Sequence, residues 1–287
     1  MKTSSLLAKL PFGPWRTRHP AVSVVRLAGV IGASGPLRQS LNLTAVAPLL
    51  ERAFAPKRLA AVALIINSPG GSPVQSALIA RRIRDLAEEK KVPVLAFCED
   101  VAASGGYWLA CAADEIYADA NSIVGSIGVV SGGFGFQDLI ARFGIERRLY
   151  TAGEKKVLLD PFQPEKPDAV ERLRAIQREM HESFKELVRE RRGARLTGDD
   201  GELFSGAFWT GASGLGLGLI DGIDHARPHL RRRFGEKVQL RVIHGEKRLF
   251  RRLGFGVSAA GGAFATALPD AAIAAAEERA LWARYGL

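Results

Sequence analysis

The chain has 287 residues, of which 47% are hydrophobic and 24% charged, with a net charge of +10. That apolar content supports a sizeable core and excludes a disordered polypeptide. Two cysteines and five histidines fall in no zinc or redox spacing, so neither a metal nor another cofactor is expected. Residues 1–20 read as a basic leader, with Lys2, Lys9, Arg16 and Arg18 and no acid. Lys9 and Pro11 break its short apolar stretch, which is too short for a secretory signal or a membrane span. The β-branched run Ala21–Leu27 predicts the first strand, continued by Val30 and Ile31. Thr44 is placed to cap a helix over 45–54. The apolar run Ala61–Ile66 predicts a buried strand of the parallel type. Ser68-Pro69-Gly70-Gly71 turns the chain, a helix follows over 73–90, and Pro93–Cys98 is the next strand. Further elements are a helix at 105–112, a strand at 114–118, a helix at 134–143 and a strand at 145–150. A long charged helix at 167–192 carries an apolar stripe of Val170, Leu173, Ile176, Met180, Phe184 and Leu187, suited to a core or an interface.

The alternation of strands and helices predicts an α/β fold with a mostly parallel sheet and right-handed crossovers. Three regions are expected: the leader at 1–20, a main domain at 21–235, and an appendage at 236–287. The appendage is basic at first and rich in Ala and Gly from Gly254. Between Arg227 and Arg252, ten Lys or Arg face only Glu236 and Glu246. Such a field suits an anionic membrane surface or simply a solvated face. Nucleic acid is not expected, because no aromatic-interleaved basic motif accompanies the charge. The chain is therefore expected to be cytoplasmic or peripherally attached to a membrane.

Two glycine-containing turns carry the candidate chemistry. INSPGG ends a buried strand at 66–71, and AASGG spans 102–106 just after the next one. In a parallel sheet both lie at the carboxyl ends of strands, where α/β sites form. The first lacks the Gly-Lys-Ser ending of a phosphate-binding loop and the third glycine of a dinucleotide fingerprint. Ser104 could serve as a nucleophile or merely cap the helix that follows it, and the glycines could be purely structural. No histidine stands in a triad pattern, so Lys155 and Lys156 are the best candidates for a base. Apolar Val157, Leu158 and Leu159 beside them suggest burial, which favours the neutral amine that base catalysis needs.

The sequence resembles serine peptidase family S49, the signal peptide peptidase A family. The resemblance is carried by INSPGG at 66–71, AASGGYWLACAADEIYA at 102–118 and NSIVGSIGVV at 121–130. It continues with FGIERRLYTAGEKK at 143–156 and FWTGASGLGLGLID at 208–221. It implies a ClpP/crotonase-like fold with a repeated β-β-α superhelical core. It implies Ser104 as nucleophile and, three residues after Gly153, Lys156 as general base, with Lys155 its neighbour. By the wider ClpP-like resemblance the amides of Gly71 and Gly105 form the oxyanion hole. Gly70 and the block Ser126, Ile127 and Gly128 would then flank the substrate groove. Substrates would be signal-peptide remnants or other flexible apolar peptides. A homo-oligomeric ring, an octamer on the resemblance, would complete each dyad across subunits. The family commonly has a membrane-anchoring N-terminus, and the leader here does not match one. A crotonase-type acyl-CoA enzyme and an inactive peptide-binding scaffold are the competing readings.

Overall fold

The central strand of the sheet, and the one that leads into the serine turn, is a ten-residue run from Val94 to Ala103 (β3). It is almost wholly buried, as expected for a strand covered on both faces. The computed structural model describes residues 19–32, 41–153, 155–245, 275–276 and 278–287. The leader up to residue 18 and most of the Ala/Gly-rich stretch after Gly254 lie outside the described residues.

Strands Ala21–Ala28 (β1) and Leu59–Ser68 (β2) pair with each other and then with β3, all parallel. On the far side of β3, Glu115–Ala118 (β4) pairs with Leu95–Cys98 and Ile123–Gly125 (β5) pairs with Val101–Ala103. Phe208–Thr210 (β6) pairs antiparallel with β5, whereas Gly222–Ile223 (β7) runs parallel to β4. Gln239–Val242 (β8) extends the same sheet beyond residue 235 by pairing parallel with β1. The fold is thus the mostly parallel α/β type that the strand–helix rhythm predicts.

Alternation along β2 divides the core. Val62, Leu64 and Ile66 face one side, where they meet Ile79 and Ile83 of Pro73–Lys90 (α2) and Leu50 and Phe54 of Leu43–Phe54 (α1). Ala61 and Ala63 face the other side with Phe97 and Leu230, the latter from Ala226–Phe234 (α8). The cap of α1 is Asn42 and not Thr44: its side chain accepts the Ala45 N–H at 2.9 Å, so the helix starts two residues earlier than the sequence suggests. Both cysteines are fully packed, and burial pushes each thiol up to about 12.

The remaining helices are Gly105–Ala110 (α3), Gln137–Arg142 (α4), Pro167–Arg192 (α5), Asp200–Leu203 (α6) and Gly211–Gly216 (α7). The C-terminal half of α5 is anchored, with Phe184 stacked on Trp108 of α3 at 4.6 Å between ring centroids. Its N-terminal half is not: Val170, Leu173 and Ile176 are half-buried and Met180 is exposed. At its end, buried Arg192 forks onto Asp221 at 2.7 and 3.0 Å and donates to the Gly218 carbonyl at 2.9 Å. Asp221 also accepts the Ile116 N–H at 2.7 Å, tying α5 to β4. Burial opposes ionisation of Asp221, but the Arg192 and Ile116 hydrogen bonds outweigh it and hold the carboxyl below its usual range. Its stabilising contribution is therefore lost only as pH falls from about 3.8 through that lower folded value. Arg192→Ala strands this carboxylate, and a loss of about 3–5 kcal/mol is expected in chemical denaturation. A loss below about 1 kcal/mol would show that Arg195, 3.2 Å from the same carboxylate, substitutes for it.

One expected strand is absent. Residues 145–150 form no ladder. They belong to a stretch from Val130 to Leu159 that leaves the body of the fold and finds no edge to pair with. The helix expected at 134–143 contracts to α4 on the same stretch, with no buried residue.

Candidate active site

Ser104 follows β3 directly and precedes α3. Its backbone sits at φ 52°, ψ −121°, a conformation that any residue with a Cβ resists. Two hydrogen bonds hold it there: its N–H donates to the Gly125 carbonyl at 2.8 Å, and its carbonyl accepts the Trp108 N–H at 3.0 Å. The side chain makes no capping hydrogen bond, which removes the capping reading of this serine. The hydroxyl stands half-buried at the carboxyl edge of the sheet with no role in holding α3 together.

The Pro69–Gly71 turn is packed against this serine. A Cβ on Gly70 would lie 2.8 Å from the Ser104 Cβ and 2.9 Å from the Gly105 nitrogen. A Cβ on Gly71 would lie 1.9 Å from the Ile31 carbonyl oxygen. Only glycine fits either position, and both adopt positive φ. Ile31 donates to Gly70 O at 2.8 Å, and Ser72 donates to Ile31 O at 2.7 Å. This parallel bridge uses the groups on either side of Gly71, so its own N–H points away from Ile31. Gly105 is the first residue of α3, and its N–H has no intrahelical acceptor. Two amides, one on each turn, are thus left free of the backbone ladder beside the serine.

Ser126 also has positive φ, at 53°, and its N–H donates to Ala207 O at 2.7 Å. The Ile127 side chain is fully buried in the main core, so this residue offers the groove only backbone; its carbonyl meets His181 Nε2 of α5 at 3.0 Å. Gly128 packs against Gly206, with 3.0 Å between a Cβ placed there and the Gly206 Cα.

Lys156 is exposed in a turn closed by its N–H to the Gly153 carbonyl at 3.1 Å, and among the described residues no hydrogen bond joins it to Ser104. Val157 and Leu158 are half-buried and Leu159 is exposed, so the expected burial of this lysine is not provided by its own chain. Its segment shows an unusual apolar surface: Phe134 is 79%, Phe143 73% and Tyr150 89% exposed. The base of the stretch is nevertheless ordered by its own contacts. Phe136 N–H donates to Pro161 O at 2.6 Å, and Arg147 pairs with Asp160 at 2.9 Å while lying over the Phe162 ring.

Two aromatic residues near the serine escaped sequence reasoning. Phe208 lies opposite Gly125 in the β5–β6 ladder, and Tyr285 reaches the same place from the end of the chain. Phe208 opens the FWTG run at 208–211, but nothing in the spacing marks its role; Tyr285 has no local signal at all.

The family model described as peptidase family S49 matches residues 86–234. A Brucella abortus protein named Na(+)/H(+) antiporter NhaA is 52% identical over 98% of this chain, which covers 39% of that protein. The chloroplastic serine protease SPPA of Arabidopsis thaliana is 32% identical over 70% of this chain and 30% of its own length. The chain thus spans well under half of these relatives. Among solved structures, a membrane-bound stomatin-specific protease superposes with a TM-score of 0.50 at 14% identity, covering 80% of this chain and all of that one. That likeness concerns the fold. No helix among the described residues is long and apolar enough to cross a membrane.

Proposed function

This chain belongs to peptidase family S49, and we propose that it hydrolyses flexible, apolar peptides through an acyl-enzyme on Ser104, with Lys156 of a neighbouring copy as general base. The observation that carries the reading is Ser104 itself: a strained backbone and a hydroxyl without a structural task, pressed against a turn that only glycine can form. Strain of this kind persists where function requires the geometry.

In the proposed reaction the neutral Lys156 amine takes the hydroxyl proton as Ser104 Oγ attacks the scissile carbonyl. The amides of Gly71 and Gly105 receive the developing negative charge. Collapse of the tetrahedral adduct breaks the C–N bond, and Lys156 returns the proton to the leaving amine. Water then attacks the ester, again with Lys156 as base, and releases the acid and Ser104. Lys156 stands on an exposed stretch, and in the proposed assembly a second copy supplies it. The exposed Phe134, Phe143 and Tyr150 on that stretch support this, since an interface would bury them and favour the neutral amine. A closed ring is the simplest assembly in which every subunit both gives and receives such a stretch. A ring also admits only unfolded segments, such as signal-peptide remnants.

The antiporter name of the Brucella relatives describes proteins most of whose length lies outside the match, and it carries no transport activity to this fold. The test is hydrolysis of a library of unfolded peptides, run beside labelling by a fluorophosphonate probe and binding of an acyl-CoA. Peptide cleavage with probe adduct mapped to Ser104 is expected. Tight acyl-CoA binding without cleavage or labelling would favour a crotonase-type enzyme and sink the proposal.

A further inference from the structure

Strand β3 carries two acidic residues, Glu99 and Asp100, in an otherwise apolar run. They mark a slip in register. Ile66 of β2 lies opposite Cys98 and Ser68 opposite Ala102, so Asn67 of β2 faces three residues of β3. At the same place β3 changes its neighbour on the far side: Leu95–Cys98 pairs with β4, and Val101–Ala103 pairs with β5. Extra residues bend a strand, leave ladder groups without strand partners and recur beside active sites. Here the ladder resumes at the residues that lead directly into Ser104.

Asn67 closes the gap. Its main-chain carbonyl accepts the Gly29 N–H at 2.9 Å and keeps β2 in the β1 ladder. Its side chain reaches β3: Oδ1 accepts the Val101 N–H at 3.2 Å, and Nδ2 donates to Asp100 Oδ2 at 2.6 Å. The orientation of the amide follows from its partners, since a backbone N–H can only donate and an ionised carboxylate can only accept. A carboxamide meets both demands, whereas an aspartate offers no proton to Asp100 and an alanine meets neither. Asn67 thus takes over a ladder bond that the slip removes. On the far side the resumed strand is tied to Ile123–Gly125, and the Gly125 carbonyl accepts the Ser104 N–H at 2.8 Å. Along β2, Asn67 leads through Ser68 and Pro69 into Gly70, which lies against the Ser104 Cβ. The two turns of the candidate site are therefore the continuations of two strand ends that Asn67 joins. Glu99, the other acidic residue at the slip, pairs with Arg26 in an exposed contact of the kind that contributes little.

Resting on the peptidase reading, we propose that Asn67 is a positioning residue: its carboxamide bridges the slipped register of β2 and β3 and so sets the Ser104 hydroxyl at its distance from the Gly71 and Gly105 amides. Asn67 acts through the two turns and holds no substrate, so its loss should appear in kcat and leave KM in place. A shift of about 1 Å between reacting groups lowers a rate by about 10²-fold.

The experiment uses full-length protein, an unfolded fluorogenic peptide and a fluorophosphonate probe. Asn67→Ala should lower kcat and the rate of Ser104 labelling by about 10- to 100-fold, with KM within about twofold. Asn67→Asp should lose at least as much, because its carboxylate faces that of Asp100. Asp100→Asn should lose less than about threefold, since its side-chain oxygen still accepts from Asn67. The exchanged pair, Asn67→Asp with Asp100→Asn, keeps an acceptor for Val101 and reverses the direction of the second bond. It should recover most of the kcat that Asn67→Asp loses, and this comparison serves if the alanine variant folds poorly. Arg26→Ala removes an exposed contact at the same slip and should stay within about twofold of wild type. Hydrogen exchange of residues 99–106 reads the bridge without chemistry. Protection should fall in Asn67→Asp and return in the exchanged pair. A lower melting temperature with kcat unchanged, or an exchanged pair no more active than Asn67→Asp, overturns the positioning role and leaves the peptidase reading. Wild type that neither cleaves nor labels, with the exchange pattern as expected, removes the peptidase reading and leaves the bridge between the two turns.

Discussion

Ser104→Ala should lower peptide hydrolysis by roughly 10³-fold or more while leaving the melting temperature unchanged. The first half follows from losing the hydroxyl on which the proposed reaction builds its ester. The second follows from two features of the structure. The Ser104 side chain makes no capping hydrogen bond, so its removal leaves no partner unsatisfied. Alanine keeps the Cβ, so the backbone at φ 52°, ψ −121° is strained to the same degree before and after the change. Ser104→Gly separates the two effects. It also lacks the nucleophile, but it relieves a conformation that costs about 1–3 kcal/mol in a residue with a Cβ. Glycine should therefore be as inactive as alanine and about 1 kcal/mol more stable, after the greater freedom of glycine in the unfolded chain is deducted. The measurements are kcat on a peptide substrate and thermal unfolding of all three proteins. If glycine were no more stable than serine, the backbone would not be storing strain for the site. If alanine retained more than about a tenth of wild-type turnover, Ser104 would not be the nucleophile.

The parts of the molecule that were legible in the sequence are those where local chemistry and tertiary packing agree. The helix at 73–90 has a serine cap, a proline at its start and an apolar face that meets β2, and its observed bounds match the reading. The helix at 167–192 likewise matches, because proline opens it and glycine ends it. The serine and glycine turns were visible because strand ends in a parallel sheet collect such residues. What failed did so where neighbours decide. Residues 145–150 have the composition of a strand, yet a strand exists only with a partner, and this chain gives them none. Lys156 reads as a lysine among apolar residues, but Val157 and Leu158 are only half-buried and Leu159 is exposed, and sequence does not say what would complete their burial. Phe208 and Tyr285 meet across a separation along the chain that no local pattern spans.

The outward-facing stretch sets up the second large effect. Ser104→Ala and Lys156→Ala proteins should each be inactive alone, and mixing them should restore activity. The structure supplies the reason. Lys156 makes no hydrogen bond to Ser104 within the chain, and the surface that accompanies it includes Val130, Phe134, Phe143, Ile145 and Tyr150, all exposed. Apolar area on this scale is ordinarily covered in a stable protein. If a neighbouring copy covers it, Lys156 travels with the stretch to that copy's serine. In a one-to-one mixture assembled at random, a site needs Ser104 from one variant and Lys156 from the other. That combination occurs at about one site in four for a heterologous ring, so about a quarter of wild-type activity is expected. The proportion should follow the product of the two mole fractions as the mixing ratio is varied. Subunits must be separated and reassembled together for this to occur, and native mass should confirm mixed assemblies. A second signature is dilution: activity should fall more steeply than protein concentration as assemblies dissociate, because the base leaves with its subunit. Phe143→Asp should bring the same loss at higher concentration, since a carboxylate would be buried against apolar neighbours at the interface. Mixed assemblies that stay inactive at every ratio would place both members of the dyad on one chain. That result would require the stretch from Val130 to Leu159 to fold back over its own site, and its exposed apolar side chains would then be covered without any partner.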